Sequence, residues 1–351
     1  MDAGDLFGVS SNPVKDRYVT QAMGRLAYDA INVGDQDCVD GVAFLLEQAQ
    51  AASLPLVSAT VTAASHDDWG AAVLPWRLVR VGRLRVGLLG ITPDKAFRFL
   101  DPAIRAGLTI APADTVLTRQ VRLLRKQCDL LVVLSHAGFE ADQGLAQTVP
   151  GIDVIVGGHS QTFVKDPVLV GQTLIVQAGK NGEHLGMLTL SLKGRHIREF
   201  ANTLIPLDNR VAPDPDLDRL VAEYIGLLKT RQRQKQVESS RSPRLKAADC
   251  TPCHRPQAAQ WDTTPHRHAF ETLVRAGKQD NPECLSCHVT LAEAEHEGIQ
   301  CLSCHVVTAD HGQPNGVTTV PRVTAAQCRT CHDPIQNPDF HYEDMVKKVV
   351  H

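Results

Sequence analysis

The chain has 351 residues and a formal net charge of −3, so it has room for two domains and lacks the basic balance of nucleic-acid-binding proteins. It contains no run of eighteen apolar residues, which argues against a membrane-spanning helix. Eight of the ten cysteines and ten of the fifteen histidines lie after residue 249. This compositional boundary separates 250–351 from the rest of the chain. A second change, at residue 208, divides the rest into 1–207 and 208–249.

The first part, 1–207, alternates apolar β-rich runs with amphipathic helical segments. The runs at 83–91 and 129–134 are almost continuously apolar, as expected for strands that are covered on both faces. The alternation predicts a layered α/β domain. The predicted strands are 55–61, 76–81, 83–91, 129–136, 152–158, 173–179 and 187–194, and the predicted helices lie near 15–30, 39–52 and 112–127.

The second part, 208–249, begins with proline turns and predicts one helix from about residue 214. Basic residues dominate from Lys229 to Lys246. We interpret this part as a solvated helix end followed by a linker. A docking surface for an acidic partner is the alternative.

The third part, 250–351, carries four Cys-x-x-Cys-His motifs. Two thiols one helical turn apart add to the two vinyl groups of haem, and the adjacent histidine becomes an axial ligand of the iron. Zinc knuckles and disulfides also use cysteine pairs, but neither explains a histidine after every second cysteine. We therefore predict four haems c. The predicted attachment residues are Cys250, Cys253, Cys284, Cys287, Cys301, Cys304, Cys328 and Cys331, and the proximal ligands are His254, His288, His305 and His332.

Six further histidines lie in the same part and supply candidates for the second axial positions. Four low-spin haems need four distal ligands, so the supply is sufficient. At about 25 residues for each haem, the porphyrins themselves must form much of this domain's core. The six histidines are His266, His268, His296, His311, His341 and His351.

The third part resembles cytochrome c-554-type multihaem domains. "CTPCHRPQAAQWDTTPHRHAFETL", "GIQCLSCHVVTADH" and "CRTCHDPIQNPDFHYEDMVKKVVH" are similar to the first, third and last haem segments of that family. The resemblance implies His266, His311 and His351 as distal ligands. The sequence departs from the family pattern at His268 and His341. The haem of Cys284 and Cys287 is either ligated by His296 or has an open axial position.

Two histidines of the first part, His136 and His159, each follow an apolar strand. Together with the acidic strand ends "DAGD" and "NVGDQD" they predict a dinuclear metal site built from loops. Residues 1–205 resemble the metallophosphoesterase domain of the 5′-nucleotidase type, which implies a four-layer αββα sandwich. The resemblance implies Asp5 and Asp35 as further ligands and a pair of manganese, zinc or iron ions.

The implied metal site departs from the family pattern. Gln36 and Gln161 stand where the family has histidines, and the D-x-H strand that supplies two ligands is absent from the sequence. An amide is a poor ligand for zinc or manganese and does not replace histidine as a proton donor. Hydrolase activity is therefore in question, and the catalytic residues are left unassigned.

Haem attachment to Cys-x-x-Cys-His takes place outside the cytoplasm, so we expect a periplasmic or extracellular protein. The chain begins without a recognisable export signal. A start placed too late, or a shortened chain, would explain both this and the missing strand. Cys38 and Cys128 are interpreted as small buried residues rather than as a disulfide.

The primary functional hypothesis is electron transfer by a tetrahaem module that is attached to a degenerate metallophosphoesterase-like domain. We expect redox partner proteins and no nucleic acid, and assembly through the haem domains is left open. The first alternative is a bifunctional phosphoesterase with an electron-transfer module. The second is a reductase of a small oxyanion, which requires an open axial position on one haem.

Overall fold

A computed structural model describes residues 1–63, 66–208, 210–239 (side chains only to 231), 246–279, 281–290, 298–307, 311, 322–332, 337 and 339–349. The chain divides into two compact units, Met1–Leu220 and Val221–His351. Both are considered separately below.

The described strands all lie in the N-terminal unit, and most of them are short. They are β1 (Ile31–Asn32), β2 (Leu56–Val57), β3 (Val61–Thr62), β4 (Val73–Leu74), β5 (Trp76–Val81), β6 (Leu84–Ile91), β7 (Thr109–Ile110), β8 (Leu130–Ser135), β9 (Val154–Gly157), β10 (Val168–Val170), β11 (Thr173–Val176), β12 (His184–Lys193) and β13 (His196–Pro206).

The helices of the N-terminal unit alternate with these strands. They are α1 (Pro13–Arg25), α2 (Val42–Ala51), α3 (Trp69–Ala72), α4 (Pro102–Ala106), α5 (Ala113–Leu124) and α6 (Phe139–Thr148), with 3-10 turns at Gln36–Cys38 and Asp94–Phe99. Helix α1 shows why such a segment starts where it does. The Asn12 side chain accepts a hydrogen bond from the backbone N–H of Lys15, and Pro13 occupies the first position, where no N–H is needed.

Two sheets form the centre of the unit. A six-stranded sheet has the order β10-β11-β9-β8-β6-β5, in which the central strands β11, β9, β8 and β6 are parallel and both edge strands are antiparallel. A three-stranded parallel sheet has the order β1-β2-β4. The pairs β3–β7 and β12–β13 are separate two-stranded ribbons.

Strand β8 shows how the layers are held together. Its six residues are all buried, and alternate side chains point to opposite faces. Leu131 and Val133 pack with apolar residues of α5 and α6, whereas Val132 and Leu134 pack with Val57 between the two sheets. A third apolar cluster joins α2 to the other face of the three-stranded sheet. These layers form the predicted αββα sandwich, and the predicted fold class is confirmed.

Several element predictions need correction. The single strand predicted at 55–61 is wrong, because the chain turns after β2 and β3 pairs in another ribbon. The helix predicted near 15–30 ends at Arg25. Strand β13 and helix α6 were missed, because both alternate or mix polar residues without a strong apolar period. Cys38 and Cys128 are buried free thiols, as predicted.

The C-terminal unit is helical and irregular. Helix α7 (Pro215–Ser239) crosses the boundary between the units, and the shorter helices are α8 (Ala247–Cys250), α9 (Arg255–Asp262), α10 (Ala269–Arg275), α11 (Pro282–His288), α12 (Ala325–Arg329) and α13 (Tyr342–Met345), with 3-10 turns at Cys301–Ser303 and Val346–Lys348. Its buried apolar cluster consists of Leu273, Leu285 and Val289. None of the described helices is long and apolar enough to cross a membrane.

Candidate functional site

Four acidic and histidine side chains meet at the carboxyl ends of strands in the N-terminal unit. Asp35 follows β1, His136 follows β8 and His159 follows β9. Asp5 comes shortly after Asp2, which pairs with the start of β1. Parallel strands place their carboxyl ends at one edge, so loops distant in sequence converge there. One ligand atom from each of these four residues lies within 4.8 Å of the others.

The four side chains face one another at short range. Nε2 of His136 lies 3.1 Å from Oδ2 of Asp5 and 3.2 Å from Oδ1 of Asp35. Nδ1 of His159 lies 3.4 Å from the same Asp35 oxygen and 3.2 Å from Nε2 of His136. The structure thus brings together all four residues that the sequence matched to metal ligands.

The second ring nitrogen of His136 is fixed by the backbone. Nδ1 of His136 lies 2.9 Å from the carbonyl oxygen of Ala3, and the side chain is 1% exposed. A carbonyl oxygen only accepts hydrogen bonds, so Nδ1 carries a proton. In the neutral imidazole, Nε2 then directs its lone pair at the cluster, which is the usual arrangement of a metal-binding histidine.

Asp37 holds the two acidic loops together. Its carboxylate accepts hydrogen bonds from the backbone N–H groups of Asp5 (3.1 Å), Leu6 (2.7 Å) and Gly34 (2.7 Å). Burial, followed by the charge of Asp5, raises the pKa of Asp37 to about 7. The sequence did not indicate a role for Asp37, because nothing in "GDQD" distinguishes a buried acid from an exposed one.

The charges of the cluster stabilise one another. Burial favours the neutral form of Asp35, but its contacts with His136 and His159 outweigh that effect and lower its pKa to about 2. Burial also opposes the charged form of His136, yet Asp35 and Asp5 raise its pKa to about 10. Two carboxylates in a largely enclosed place therefore favour a positive charge between them.

The backbone at the cluster adopts conformations that side-chain-bearing residues rarely occupy. Asp5, His159 and Gln161 have φ values of 66°, 63° and 55°. Gly4 has φ 101°, and a Cβ atom there would lie 2.7 Å from the backbone nitrogen of Gly34. Such conformations cost free energy and persist where the surrounding structure holds them. The loops are therefore positioned tightly.

The two glutamines that the resemblance matched to family histidines have different surroundings. Gln36 donates its backbone N–H to Oδ1 of Asp5 at 3.0 Å. Gln161 is exposed. The donor set that remains, two carboxylates and two imidazoles, fits a divalent transition-metal ion, since such ions bind nitrogen and oxygen ligands together.

The haem motifs of the C-terminal unit form short turns. Cys284 to His288 lie within α11, whereas the other motifs lie at helix ends or in a 3-10 turn. In these three motifs the histidine N–H donates to the carbonyl of the first cysteine, at 3.0 Å for His254 and at 2.9 Å for both His305 and His332. Each motif therefore completes one helical turn, which places both thiols and the imidazole as haem attachment requires.

Thiols of different motifs lie beside one another. Burial, and then the neighbouring Cys301, raises the pKa of Cys250 to about 11. Burial, and then Cys287, raises the pKa of Cys331 to about 11. Burial raises the pKa of the Cys304 thiol too, with smaller contributions from the third and fourth motifs. The first motif thus adjoins the third, the third adjoins the fourth, and the fourth adjoins the second.

Two of the histidines predicted as proximal ligands are paired with histidines from other segments. The ring centres of His254 and His311 are 6.0 Å apart, with 8° between the ring planes. Those of His266 and His332 are 5.9 Å apart, with 57° between the planes. Burial, together with the charge of His332, lowers the pKa of His266 and favours its neutral, ligating form.

Two other side chains of this unit contact backbone carbonyls. Nδ1 of His288 lies 2.9 Å from the carbonyl oxygen of Ala269, so Nε2 is the nitrogen that remains for the predicted haem ligation. The indole of Trp261 donates to the carbonyl oxygen of Ile299 at 2.8 Å. This bond anchors Trp261 within the haem-bearing unit.

The remaining histidines have other surroundings. The half-exposed ring of His268 contacts Glu271, with Nδ1 2.9 Å from Oε1. His341 is exposed at the start of α13. The distal ligands predicted at His296 and His351 lie outside the described residues.

A family model supports the resemblance of the C-terminal unit. The model "Cytochrome c554 and c-prime" matches residues 249–333, a span that contains all four haem motifs.

The N-terminal unit is similar to 5′-nucleotidases. Snake venom 5′-nucleotidase of Crotalus adamanteus is 29% identical over 245 residues, which cover 62% of this chain and 41% of that protein. The 5′-nucleotidase of Homo sapiens is 29% identical over 243 residues, covering 62% and 42%. The chain thus matches less than half the length of these relatives.

Solved structures agree with these relatives. A 5′-nucleotidase precursor from Thermus thermophilus aligns with a TM-score of 0.58 and 25% identity, covering 65% of this chain and 49% of that one. The sulfate thiohydrolase SoxB of Thermus thermophilus aligns with a TM-score of 0.57 and 22% identity, covering 64% and 42%, and shares the fold. Both resemblances inferred from the sequence are confirmed.

Proposed function

We propose, on the premise that this chain joins a 5′-nucleotidase-type metallophosphoesterase domain to a cytochrome c554-type domain, that it transfers electrons through four covalently bound haems c. Haem supplies an iron that cycles between two oxidation states. The observation that carries the proposal is the set of four one-turn Cys-x-x-Cys-His motifs whose thiols adjoin one another.

The paired histidines support specific axial ligands. Metal–imidazole bonds are about 2 Å long and a ring centre lies about 1 Å further on, so two imidazoles that share one metal have centres about 6 Å apart. The pairs His254–His311 and His266–His332 meet this requirement at 6.0 and 5.9 Å. We assign the first pair to the haem of the first motif and the second pair to the haem of the fourth.

The other two haems have proximal ligands His288 and His305. His296 is the distal candidate for the haem of His288, with an open axial position opposite His288 as the alternative, and His351 is the remaining distal candidate. That alternative favours the small-oxyanion reductase, because a ligand-free iron position is where such a substrate binds.

The contacts between motifs support an order for electron transfer. We order the haem sites as first, third, fourth and second, because thiols of successive motifs in this order are close enough to raise one another's pKa. The protein's residues hold the axial nitrogens, bury the attachment sites and set the spacing. Redox partners would exchange electrons at the outer sites, those of the first and second motifs.

We infer that the metallophosphoesterase domain does not hydrolyse phosphoesters. Gln36 and Gln161 replace the histidines that the family pattern places at its site, and amides neither bind zinc well nor donate protons as imidazoles do. Because c-type haem is attached outside the cytoplasm, we place the mature protein in the periplasm or outside the cell.

Quantification of haem in the purified chain tests the proposal. Four covalent haems per chain, with a low-spin spectrum that dithionite reduces and oxidised partner cytochromes reoxidise, are expected. Fewer than four haems, or haem lost in acidic acetone, would contradict the assignment of covalent attachment. Binding of cyanide or nitrite to the oxidised protein would favour the reductase.

A further inference from the structure

The residue directly before the first cysteine differs among the four haem motifs. It is a glutamine in the third and fourth motifs, Gln300 and Gln327, and an acid in the first and second, Asp249 and Glu283. The amides of both glutamines hydrogen-bond to backbone groups of other segments, at 2.7 Å for Gln300 and at 3.3 Å for Gln327. A neutral amide is therefore sufficient where this position has only to hold backbone segments together.

The two acids at this position have different surroundings. Asp249 is exposed, and its carboxylate accepts the backbone N–H of Lys246 at the start of α8. Glu283 is partly buried, and its Oε1 accepts a hydrogen bond from the hydroxyl of Tyr224 at 2.5 Å. Tyr224 is 9% exposed and comes from α7, 59 residues earlier in the chain. The second motif thus carries a carboxylate that is partly withdrawn from water and held by a buried side chain.

Helix α11 places this carboxylate beside the attachment thiols of the second motif. Glu283 lies in the first turn of α11, and the Asn281 side chain that caps the helix accepts the backbone N–H of Glu283 at 3.0 Å. Side chains four residues apart on a helix share a face, so Glu283 and Cys287 are neighbours. Pro282 and Leu285 are buried and keep the helix in place. A haem attached to Cys287 would therefore have the charge of Glu283 close to its edge.

The axial histidine of the second motif is oriented by groups other than Glu283. Nδ1 of His288 lies 2.9 Å from the carbonyl oxygen of Ala269 and 3.1 Å from Oγ1 of Thr272, both on α10. These contacts fix the imidazole ring from the α10 side. A change of charge at Glu283 should therefore act on the haem through its electric field, and the ligand should keep its orientation.

A negative charge near a haem iron favours the ferric form, because ferric iron carries one more positive charge than ferrous iron. The effect is larger for a partly buried charge, since a lower local dielectric constant screens it less. A tyrosine hydroxyl that donates to a carboxylate forms a charge-assisted hydrogen bond, which holds the charged group in one position. Without that bond, the carboxylate would gain by turning towards water.

We propose that Glu283 lowers the reduction potential of the haem at the second motif, and that Tyr224 is the residue that positions its carboxylate. This inference rests on the four-haem electron-transfer function proposed above. Neither residue binds the iron or carries an electron. Their effect is to make the second haem a stronger electron donor, because its ferrous form gives up its one electron more readily beside a fixed negative charge.

Glu283→Gln in the complete haem-bearing chain tests the role of the charge. The measurement is a redox titration with spectroscopic detection at Soret and visible wavelengths. At any given potential, the ratio of reduced to oxidised second haem should rise about tenfold, which equals a midpoint shift of about 59 mV for one electron. The spin state should not change. An unmoved potential, a lower potential, or an equal shift of all four haems would overturn the proposal.

Glu343→Gln is the matched control for this charge. Glu343 also lies in the first turn of a helix, α13, but it is exposed. Water and salt screen an exposed charge, so the four potentials should stay where they are in the unmodified chain. A shift as large as that of Glu283→Gln would show that position and burial do not matter, and would contradict the inference.

Tyr224→Phe tests the positioning role, because it keeps the buried ring and removes only the hydroxyl. The potential of the second haem should rise by less than in Glu283→Gln. In the double variant, Tyr224→Phe should add nothing, since no carboxylate is left to position. Tyr342→Phe is the control, because that hydroxyl donates to the neutral carbonyl of Val323 at 2.8 Å. An additive shift in the double variant would refute the positioning role, and if Glu283→Gln does not fold, an unmoved potential in Tyr224→Phe would refute the proposal.

Mass spectrometry of haem peptides distinguishes this inference from the function on which it rests. Haem attached to Cys284 and Cys287, together with four haems per chain, supports the electron-transfer module whatever the potentials are. With that haem present, an unmoved potential in the variants would overturn the role of Glu283 alone. A second motif without haem would overturn both.

Discussion

The two units position their candidate ligands by different physical means. In the N-terminal unit, three apolar clusters of side chains hold two sheets and their helices together, and the acidic cluster lies at the edge of this packed framework. In the C-terminal unit, the described residues form one buried cluster of only three apolar side chains. The first site is positioned by packing, whereas we expect the second to depend on the bound haem that the cytochrome family implies.

Expression without haem attachment should produce the largest difference between the units. The C-terminal unit should fail to fold, because its side chains bury too little apolar surface to offset the conformational entropy of its residues, Val221–His351. The N-terminal unit should stay folded. Limited proteolysis with mass spectrometry would show cleavage after residue 221 and a protected fragment before it. Equal resistance of both units to proteolysis would contradict this prediction.

Leu131→Ala tests whether the N-terminal unit depends on its apolar packing while the haem-bearing unit does not. Leu131 is fully buried on β8, and removing its side chain should lower the free energy of unfolding of the N-terminal unit by about 2–5 kcal/mol. The haem spectrum should not change. Val81→Ala, at a residue that is 59% exposed, is the control and should change stability by less than about 0.5 kcal/mol. The measurement is chemical unfolding followed at far-ultraviolet and Soret wavelengths.

Asp142 should make the N-terminal unit sensitive to pH. Burial raises its pKa from 3.8 to about 7, and the hydrogen bond from Ser135 lowers it only partly. Because the pKa of Asp142 is higher in the folded than in the unfolded state, protonation of this carboxyl favours folding. That contribution to stability is fully present below about pH 4 and is lost as the pH rises through about 7.

Asp142→Asn is neutral at every pH and should remove the part of the pH dependence that Asp142 contributes. At pH 8 the variant should be more stable than the unmodified chain by at most about 4 kcal/mol. Urea unfolding at pH 5 and pH 8 measures the difference, with the exposed Asp166→Asn as the control. An unchanged pH dependence in Asp142→Asn would contradict the prediction.

A change confined to one haem should have the smallest effect. His266→Ala should convert one haem of four from low spin to high spin, because it removes the partner of His332. His268→Ala, two residues away and in contact with Glu271, should leave the spectrum unchanged. Electron paramagnetic resonance of the oxidised protein distinguishes the two, and a high-spin signal in the His268 variant would exchange their roles.

Much of the fold could be predicted because the central strands are unambiguous. The apolar run around Leu131 indicates a strand that is buried on both faces, and it is one. The boundaries near Val57 and Val61 could not be predicted, because a turn inside an apolar stretch depends on which sheet each half joins. The role of Asp37 could not be predicted either, because its burial depends on how the loops around it fold.

The sequence alone determined the chemistry of both units: the number and spacing of the haem motifs, and the residue types Asp5, Asp35, His136 and His159. These depend on covalent structure and on short segments, which are local properties. Only the tertiary structure decided which histidines face each other, and that the four ligand atoms lie within 4.8 Å of one another. Such arrangements join residues that are distant in the chain, and their distances are set by packing.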